Sequence, residues 1–313
     1  MNRRTFLTAL PAGALLTACS GNKTQLKIKL ALNWKPDPQF GGFYAADYAK
    51  HELNVEVLPG GAGTPTVQMI GSGTAQFGIV SADELLLARA RGNDVVALFA
   101  VYQDCPQGLM AHAERDLKSI GDLTKSGTLA LQRGLPYARI MERKYGFGNV
   151  KVVPSPGGDI SVFLSDPNFA QQCFVVSEPL AAKRKGAAVR VFPVADLGYN
   201  PYTTVLAISG ENLKKDVETA RRMVDAVREG WKAYLADPGP TNEKMHGLNP
   251  SMEMSTFAEV AAAQKPYIET GDALKTGLGT MTSERWTTLA AQLLELGDIP
   301  SAPKAEDCFR LLS

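Results

Sequence analysis

The sequence predicts an α/β protein of two lobes, with mostly parallel sheets and a two-strand hinge. Strand-like and helix-like segments alternate over residues 26–208, an order typical of parallel sheets covered by helices on both faces. The alternation restarts after Gly108, which indicates a second unit. Helical patterns alone follow from about residue 214. We therefore expect an inserted second lobe and two chain crossings, near 108–112 and 202–208.

The first lobe begins with a strand over 26–32, where apolar residues alternate with lysines at a period of two. Further strands are predicted at 55–58, 77–80 and 95–102, and helices at 43–50, 64–70 and 82–90. The second lobe has predicted strands at 128–131, 150–153, 173–176 and 189–194, and a helix at 136–145 with proline in its first turn.

A β-branched, apolar run over 203–208 predicts the strand that returns to the first lobe. The helices predicted after it span 214–235, 255–265 and 283–296. We assign residues 26–110 and 205–313 to lobe 1, and residues 111–204 to lobe 2. Two rigid lobes joined by two strands can close over a ligand at the carboxyl ends of the strands.

The N-terminus has the features of a bacterial export signal in residues 1–18, followed by a polar tether over 19–25. Arginines at 3 and 4 precede an apolar run over 6–16. The ending Leu16-Thr17-Ala18-Cys19 resembles a lipobox, which implies that Cys19 carries lipid and becomes the new N-terminus. An ordinary signal peptide is the alternative, and the paired arginines leave Sec and twin-arginine export both open. We expect an exported protein, lipid-anchored to a membrane facing the periplasm or cell exterior.

The composition excludes several classes of protein. A hydrophobic content of 45% supports a real core, and no run after the leader approaches the roughly 20 apolar residues that span a bilayer. The balance of 33 basic against 32 acidic residues gives no nucleic-acid footprint. No spacing resembles a metal site, so we expect no metal or cofactor. Cys105 and Cys173 could pair, or all three remaining cysteines could be buried thiols.

The loop after the first strand is the strongest candidate for ligand binding. It carries four aromatic residues between Trp34 and Tyr44, with two prolines and two glycines. Such a loop lies where open α/β sheets bind ligands, and stacking on an aromatic wall contributes about 0.5–1.5 kcal/mol beyond area burial. The alternative is that aromatic side chains plug the end of the sheet, above all Phe43 and Tyr44. The predicted ligand contacts in this loop are Trp34, Asp37, Gln39, Phe40 and Phe43.

Other predicted strand ends add polar and aromatic candidates. These are Asp83, Gln103, Tyr137, Glu178, Tyr199 and Tyr202. Asp83 could equally complement the N-terminus of the helix that it opens. A site for an anion would favour arginine and helix N-termini. Carboxylates, amides and aromatics instead suit a planar, nitrogen-rich ligand with N–H donors, neutral or cationic.

Three segments resemble a known family: Leu30-Ala31-Leu32-Asn33-Trp34, residues 70–78 (IGSGTAQFG) and residues 88–92 (ARARG). The sequence is similar to the thiamine-precursor-binding proteins of ABC importers. Aliphatic-sulfonate binders, riboflavin binders and fungal thiamine pyrimidine synthases are related to these. The resemblance implies a type II periplasmic-binding fold, a small heteroaromatic ligand such as a thiamine-pyrimidine precursor, and a monomer that delivers it to an ABC permease and its ATPase. Trp34 and Glu178 match positions that contact ligand in the binders.

The sequence also departs from that family. The precursor binders carry Asn-Thr-Asn-His-Thr-Gly after the tryptophan, whereas residues 36–41 here read PDPQFG. The lysine and histidine of the fungal enzymes are replaced by Val80 and Glu84, and their cysteine-rich stretch by residues 199–202 (YNPY). Pyridoxal phosphate and iron chemistry therefore have no carrier, and we expect no enzyme activity. Binding of a sulfonate or nitrate-type anion, a synthase-like enzyme, and a sensor or scaffold lipoprotein remain as alternatives.

Overall fold

The computed structural model describes residues 27–132 and 134–312. The predicted leader, the tether and Cys19 lie outside the described residues, so the prediction of a lipid anchor is carried by sequence alone. Within the described ranges, none of the helices combines the length and apolar character that crossing a membrane requires.

Within the residues that the structure describes, ten strands form two sheets of five. The strands are β1 Lys27–Ala31, β2 Asn54–Leu58, β3 Phe77–Val80, β4 Val95–Tyr102, β5 Gln107–His112, β6 Thr128–Leu131, β7 Lys151–Pro154, β8 Phe169–Phe174, β9 Val189–Pro193 and β10 Thr203–Ser209. The helices are α1 Gly41–Ala45, α2 Thr66–Gly71, α3 Ala82–Ala90, α4 Pro136–Tyr145, α5 Ser161–Ser165, α6 Glu178–Arg184, α7 Gly210–Lys215, α8 Val217–Ala236, α9 Gly239–Leu248, α10 Met254–Ile268, α11 Ala273–Thr276, α12 Ser283–Leu296 and α13 Ala305–Cys308.

The two sheets repeat one strand order, β2-β1-β3-β10-β4 and β7-β6-β8-β5-β9. In the first, β1 pairs in parallel with β2 and β3, while β10 runs antiparallel to β3 and β4. In the second, β5 is the reversed strand. Each reversed strand is the one that the chain forms just after leaving the other sheet. The predicted fold class, with mostly parallel sheets, is confirmed.

The chain crosses between the sheets earlier than the sequence suggested. The first crossing is Gln103–Pro106, between β4 and β5, and the second is residues 194–202, between β9 and β10. Residues 108–112 and 203–208 instead form the paired strands β5 and β10, because their apolar side chains are buried in sheets. We therefore propose that lobe 1 ends before residue 107 rather than at 110.

Helices cover both faces of the first sheet. On β10, Leu206 and Ile208 belong to one core cluster, with α8 and α10, while Val205 and Ala207 belong to another, with α3 and α12. The aromatic and methionine stripe of α8 is fully buried, so it is core, as its helical spacing suggested. The C-terminal helices therefore complete the first unit.

The helix predicted over 43–50 is wrong in its bounds. The chain forms the short α1 over Gly41–Ala45 and then a separate 3-10 turn over Ala49–His51. Gly41 and Gly42 allow α1 to lie against α8, since a methyl group on Gly42 would come within 2.2 Å of the Trp231 ring. The strand predicted at 173–176 also lies earlier, at Phe169–Phe174. The error in α1 arises because close backbone approach, and not side-chain periodicity, decides the structure there.

Replacing Gly42 with alanine tests this packing. We expect Gly42→Ala to destabilise the fold by about 1–3 kcal/mol, because the added methyl group overpacks the rigid indole of Trp231. Gly61→Ala is the control, since a methyl group there meets nothing within 4 Å. Chemical denaturation measures both. Equal stability of the two variants would contradict the packing of α1 on α8.

Candidate ligand site between the two sheets

The loop that follows β1 is fixed to the first unit through its backbone. Gly60 N donates to Trp34 O at 3.0 Å, which ties the loop to the end of β2. Asn249 Nδ2 donates to Pro36 O at 2.9 Å, and Gln264 Nε2 donates to Pro38 O at 2.9 Å. The loop is therefore held from two sides, while the indole of Trp34 is only half-buried. The β1 loop is therefore rigid and leaves part of the Trp34 ring exposed.

Trp34 faces a glycine pair of the second unit. A methyl group built on Gly157 would lie 3.7 Å from Cη2 of Trp34. One built on Gly158 would lie 3.9 Å from Cζ2 of Trp34 and 3.5 Å from Oε1 of Glu178. Residues 155–160, which connect β7 to α5, thus meet the β1 loop and the first residue of α6. The structure brings Trp34 and Glu178, both predicted site residues, into one region.

Glu178 opens α6 and points into this region. Phe174 N donates to its Oε2 at 2.8 Å, which holds one carboxylate oxygen. Burial raises the pKa of Glu178 to about 7, and the negative charge of Asp37 adds to the effect.

Asp37 is buried at the N-terminus of the 3-10 turn Pro38–Phe40. Gln39 N donates to Oδ1 at 2.9 Å and Gln39 Nε2 to Oδ2 at 3.0 Å. Burial raises its pKa to about 7 as well. Among the ion pairs of the described residues, neither Asp37 nor Glu178 has a basic partner. The region is therefore acidic and desolvated, which disfavours an anionic guest.

Three predicted site residues form hydrogen bonds within the protein near the two chain crossings: Asp83, Tyr199 and Tyr137. Tyr199 Oη donates to Asp83 Oδ2 at 2.7 Å, and Ser81 Oγ and Glu84 N both donate to Oδ1. Both oxygens of Asp83 are thus satisfied, in agreement with a role at the start of α3. Tyr137 Oη donates to Gln172 Oε1 at 3.4 Å, a long hydrogen bond on the side of the second unit.

Four predicted site residues are packed into the first unit. Phe40 and Phe43 have no exposed surface, and Phe43 meets Trp231 edge-on with ring centres 5.9 Å apart. Tyr202 accepts from Thr282 N at 3.0 Å, and Gln103 Nε2 donates to Thr280 O at 3.1 Å. These contacts place the four side chains in the first unit, although Gln103 Oε1 is buried without a hydrogen-bond partner in the described structure. Distant C-terminal segments supply most of the partners, so no local pattern pointed to them.

Sequence reasoning missed two kinds of contributor. The Gly157-Gly158 pair follows a predicted strand, and a glycine pair there is a signal for close backbone approach. Asn33 Oδ1 and Tyr44 Oη are buried without a hydrogen-bond partner in the described structure. Asn33 adjoins Trp34. Burial raises the pKa of Tyr44 to about 12, and the negative charge of Asp37 adds to the effect. Unsatisfied buried polar atoms are costly, so they indicate groups available to a guest or to water.

Two arginine contacts hold the units together on either side. Arg184 of α6 pairs with Glu253 at 3.2 Å and Glu259 at 3.8 Å beside α10. From α4, Arg139 donates to Leu296 O at 2.7 Å and Arg143 donates to the same oxygen at 2.9 Å, at the end of α12.

Two open depressions, of about 390 and 250 Å³, lie elsewhere, beside His112 and beside Arg285.

No group of three or more histidine, cysteine or acidic side chains that could hold a metal ion occurs within 27–132 and 134–312. Cys105, Cys173 and Cys308 are buried free thiols in the structure. Of the two alternatives left open by the sequence, the structure has the unpaired one.

Residues 37–240 match the family model described as NMT1/THI5 like. The chain belongs to the NMT1/THI5-like family. It is 24% identical over 94% of its length to riboflavin-binding protein RibY of Chloroflexus aurantiacus, of which it covers 88%. It is also 24% identical to the 4-amino-5-hydroxymethyl-2-methylpyrimidine phosphate synthase THI11 of Saccharomyces cerevisiae, over 68% of each chain.

Solved structures share the fold. The periplasmic aliphatic sulphonate binding protein SsuA from Escherichia coli superposes with a TM-score of 0.70 over 92% of each chain, at 13% identity. This likeness agrees with the two repeated sheets described above and confirms the periplasmic-binding-protein fold. Relatives of this chain thus include both binding proteins and synthases.

The two buried acids make stability depend on pH. Unfolding returns Asp37 and Glu178 from a pKa of about 7 to about 4, so the native state holds protons that the unfolded chain releases. We expect the free energy of unfolding to fall as pH rises from about 5 to 7. The fall should be less steep in the double variant Asp37→Asn/Glu178→Gln. Thermal melts across this range measure the slope. The exposed Glu114→Gln is the control, and identical slopes for all three proteins would contradict the burial.

Proposed function

We propose that the protein is an extracytoplasmic solute-binding protein of an ABC importer, and that it binds a small heteroaromatic ligand bearing N–H donors. One observation carries the proposal: the indole of Trp34 and the carboxyl group of Glu178, one from each unit, both lie within 4 Å of the Cβ position of Gly158. An aromatic face binds a planar ring, and a carboxylate accepts N–H bonds. The named binding of riboflavin by RibY and of sulphonates by SsuA supports the general role.

The charge of the site favours a nitrogen-rich ring over an anion. A sulfonate or nitrate would approach Asp37 and Glu178, two carboxyl groups without a basic partner among the described ion pairs. A ring N–H instead forms a charge-assisted bond with Glu178 and compensates its desolvation. Flavins are the first candidates, because the resemblance to RibY spans 94% of the chain. Thiamine-pyrimidine precursors are the second.

The proposed mechanism is closure of the two units over the ligand. An open form admits the ring, Trp34 stacks on it, and closure brings Glu178 and the Gly157-Gly158 loop from the second unit. In the closed form, the arginines of α4 contact the end of α12, and the arginine of α6 contacts the start of α10. These contacts are present in the structure. We infer that the permease recognises this closed monomer, since closure fixes the spacing of the two units.

We propose binding without catalysis. The synthases to which the chain is related are enzymes by name, and the resemblance places their lysine and histidine at Val80 and Glu84. Val80 is an apolar residue buried in β3, and Glu84 lies on α3, where it caps the helix with Ser81. Neither side chain can form a Schiff base. A carrier of small molecules fits these residues better than a synthase.

A ligand screen with a Glu178 variant tests the function. Calorimetry with riboflavin, thiamine, hydroxymethylpyrimidine and taurine is expected to give saturable binding of a ring compound. Glu178→Gln should weaken it at least about tenfold, because a hydrogen bond to a charged group contributes about 1.5–3 kcal/mol. Glu114→Gln, on the exposed surface of the second unit, should bind normally. Binding of taurine alone would favour the anion-binding alternative and contradict the proposal.

The membrane anchor is proposed on the sequence alone. Cys19 would carry the lipid, leaving residues 19–25 as a tether to the first unit. Intact-mass measurement of protein expressed in a bacterium is expected to show a diacylglyceryl mass in the wild type and none in Cys19→Ala. An unlipidated wild type, cut before or after residue 19, would indicate an ordinary signal peptide.

A further inference from the structure

We infer that the Gly157-Gly158 segment is a wall of the ligand site, and that residue 158 must lack a side chain for a ligand to fit between Trp34 and Glu178. The inference rests on the proposed function, but its geometry is independent of the ligand's identity. Neither glycine was predicted as a site residue. Both belong to the loop that follows β7 in the second unit.

Hydrogen bonds within the second unit fix the shape of this loop. Asp159 N donates to Pro156 O at 3.4 Å, and Ser161 N donates to Asp159 Oδ1 at 2.7 Å. Gln171 Nε2, on the buried strand β8, donates to Asp159 O at 3.2 Å. The two glycines therefore sit at a defined position and do not depend on Trp34 to hold them there.

Residue 158 lies between the two groups that the proposed function uses. A methyl group there would meet the carboxylate oxygen of Glu178 at 3.5 Å and the indole of Trp34 at 3.9 Å. These are ordinary contact distances, so the methyl group itself causes no clash within the protein. A ligand bonded to Glu178 and stacked on Trp34 would have to occupy the same space. The contacts of a side chain at residue 158 thus affect ligand binding, whereas in the protein alone alanine adds only the strain of its backbone conformation.

Backbone conformation alone could explain the two glycines, since φ is 64° at Gly157 and 90° at Gly158. The second unit contains matched positions that separate the two explanations. Gly186 also has a φ of 90°, and Gly146 has a φ of 68°. A methyl group on either would meet nothing within 4 Å. These controls carry the same backbone strain without contact to Trp34 or Glu178.

The test compares Gly158→Ala with Gly186→Ala in the full-length protein. We expect similar losses of Tm in both, because the strain at positive φ is shared. Calorimetry with riboflavin, or with whichever ring compound binds the wild type, should show at least tenfold weaker affinity for Gly158→Ala and less than twofold for Gly186→Ala. Equal affinities for the two variants would overturn the inference.

A second readout needs no ligand. Of the three tryptophans, Trp231 and Trp286 are fully buried, so quenching by acrylamide reports mainly Trp34. Gly158→Ala should reduce quenching relative to Gly186→Ala, and the difference should vanish in a Trp34→Phe background. If no ring compound binds the wild type but quenching changes, the proposed function fails, while the placement of residue 158 beside Trp34 stands. Unchanged quenching would show that residue 158 does not face Trp34.

Discussion

The burial of two acidic side chains on opposite sides of one interface is the constraint on which the site depends. Asp37 comes from the β1 loop and Glu178 from the start of α6, and desolvation raises the pKa of each to about 7. Burying a charge without a partner is costly. We propose that both groups accept hydrogen bonds from a ligand, and that Trp34 supplies the ring surface beside them.

The repeated topology explains how residues from distant segments meet. Each sheet has the same strand order, and each contains one reversed strand that the chain forms just after crossing from the other. The loops after β1 and β7, together with the start of α6, consequently lie at one interface. Arginines on α4 and α6 then reach α12 and α10 on either side of it. The fold thus supplies both the site and the contacts that close it.

Much of this could be predicted from sequence, and the exceptions have physical reasons. Buried apolar runs located β3 and β4, and position at strand ends located Trp34 and Glu178. Phe43 could not be assigned to the core from its own loop, because its partner Trp231 lies on α8, far along the chain. The Gly157-Gly158 pair signals close backbone approach in sequence. Its neighbour could not be named from sequence, because Trp34 lies in the other unit.

A crystal structure of the protein with its bound ring compound tests the central claim most directly. The account predicts that the ring lies on the indole of Trp34, that a ring N–H lies within hydrogen-bond distance of Glu178 Oε1, and that the ligand edge touches the backbone of Gly158. A ligand bound in the depression beside His112, or held by the first unit alone with Glu178 turned away, would contradict it.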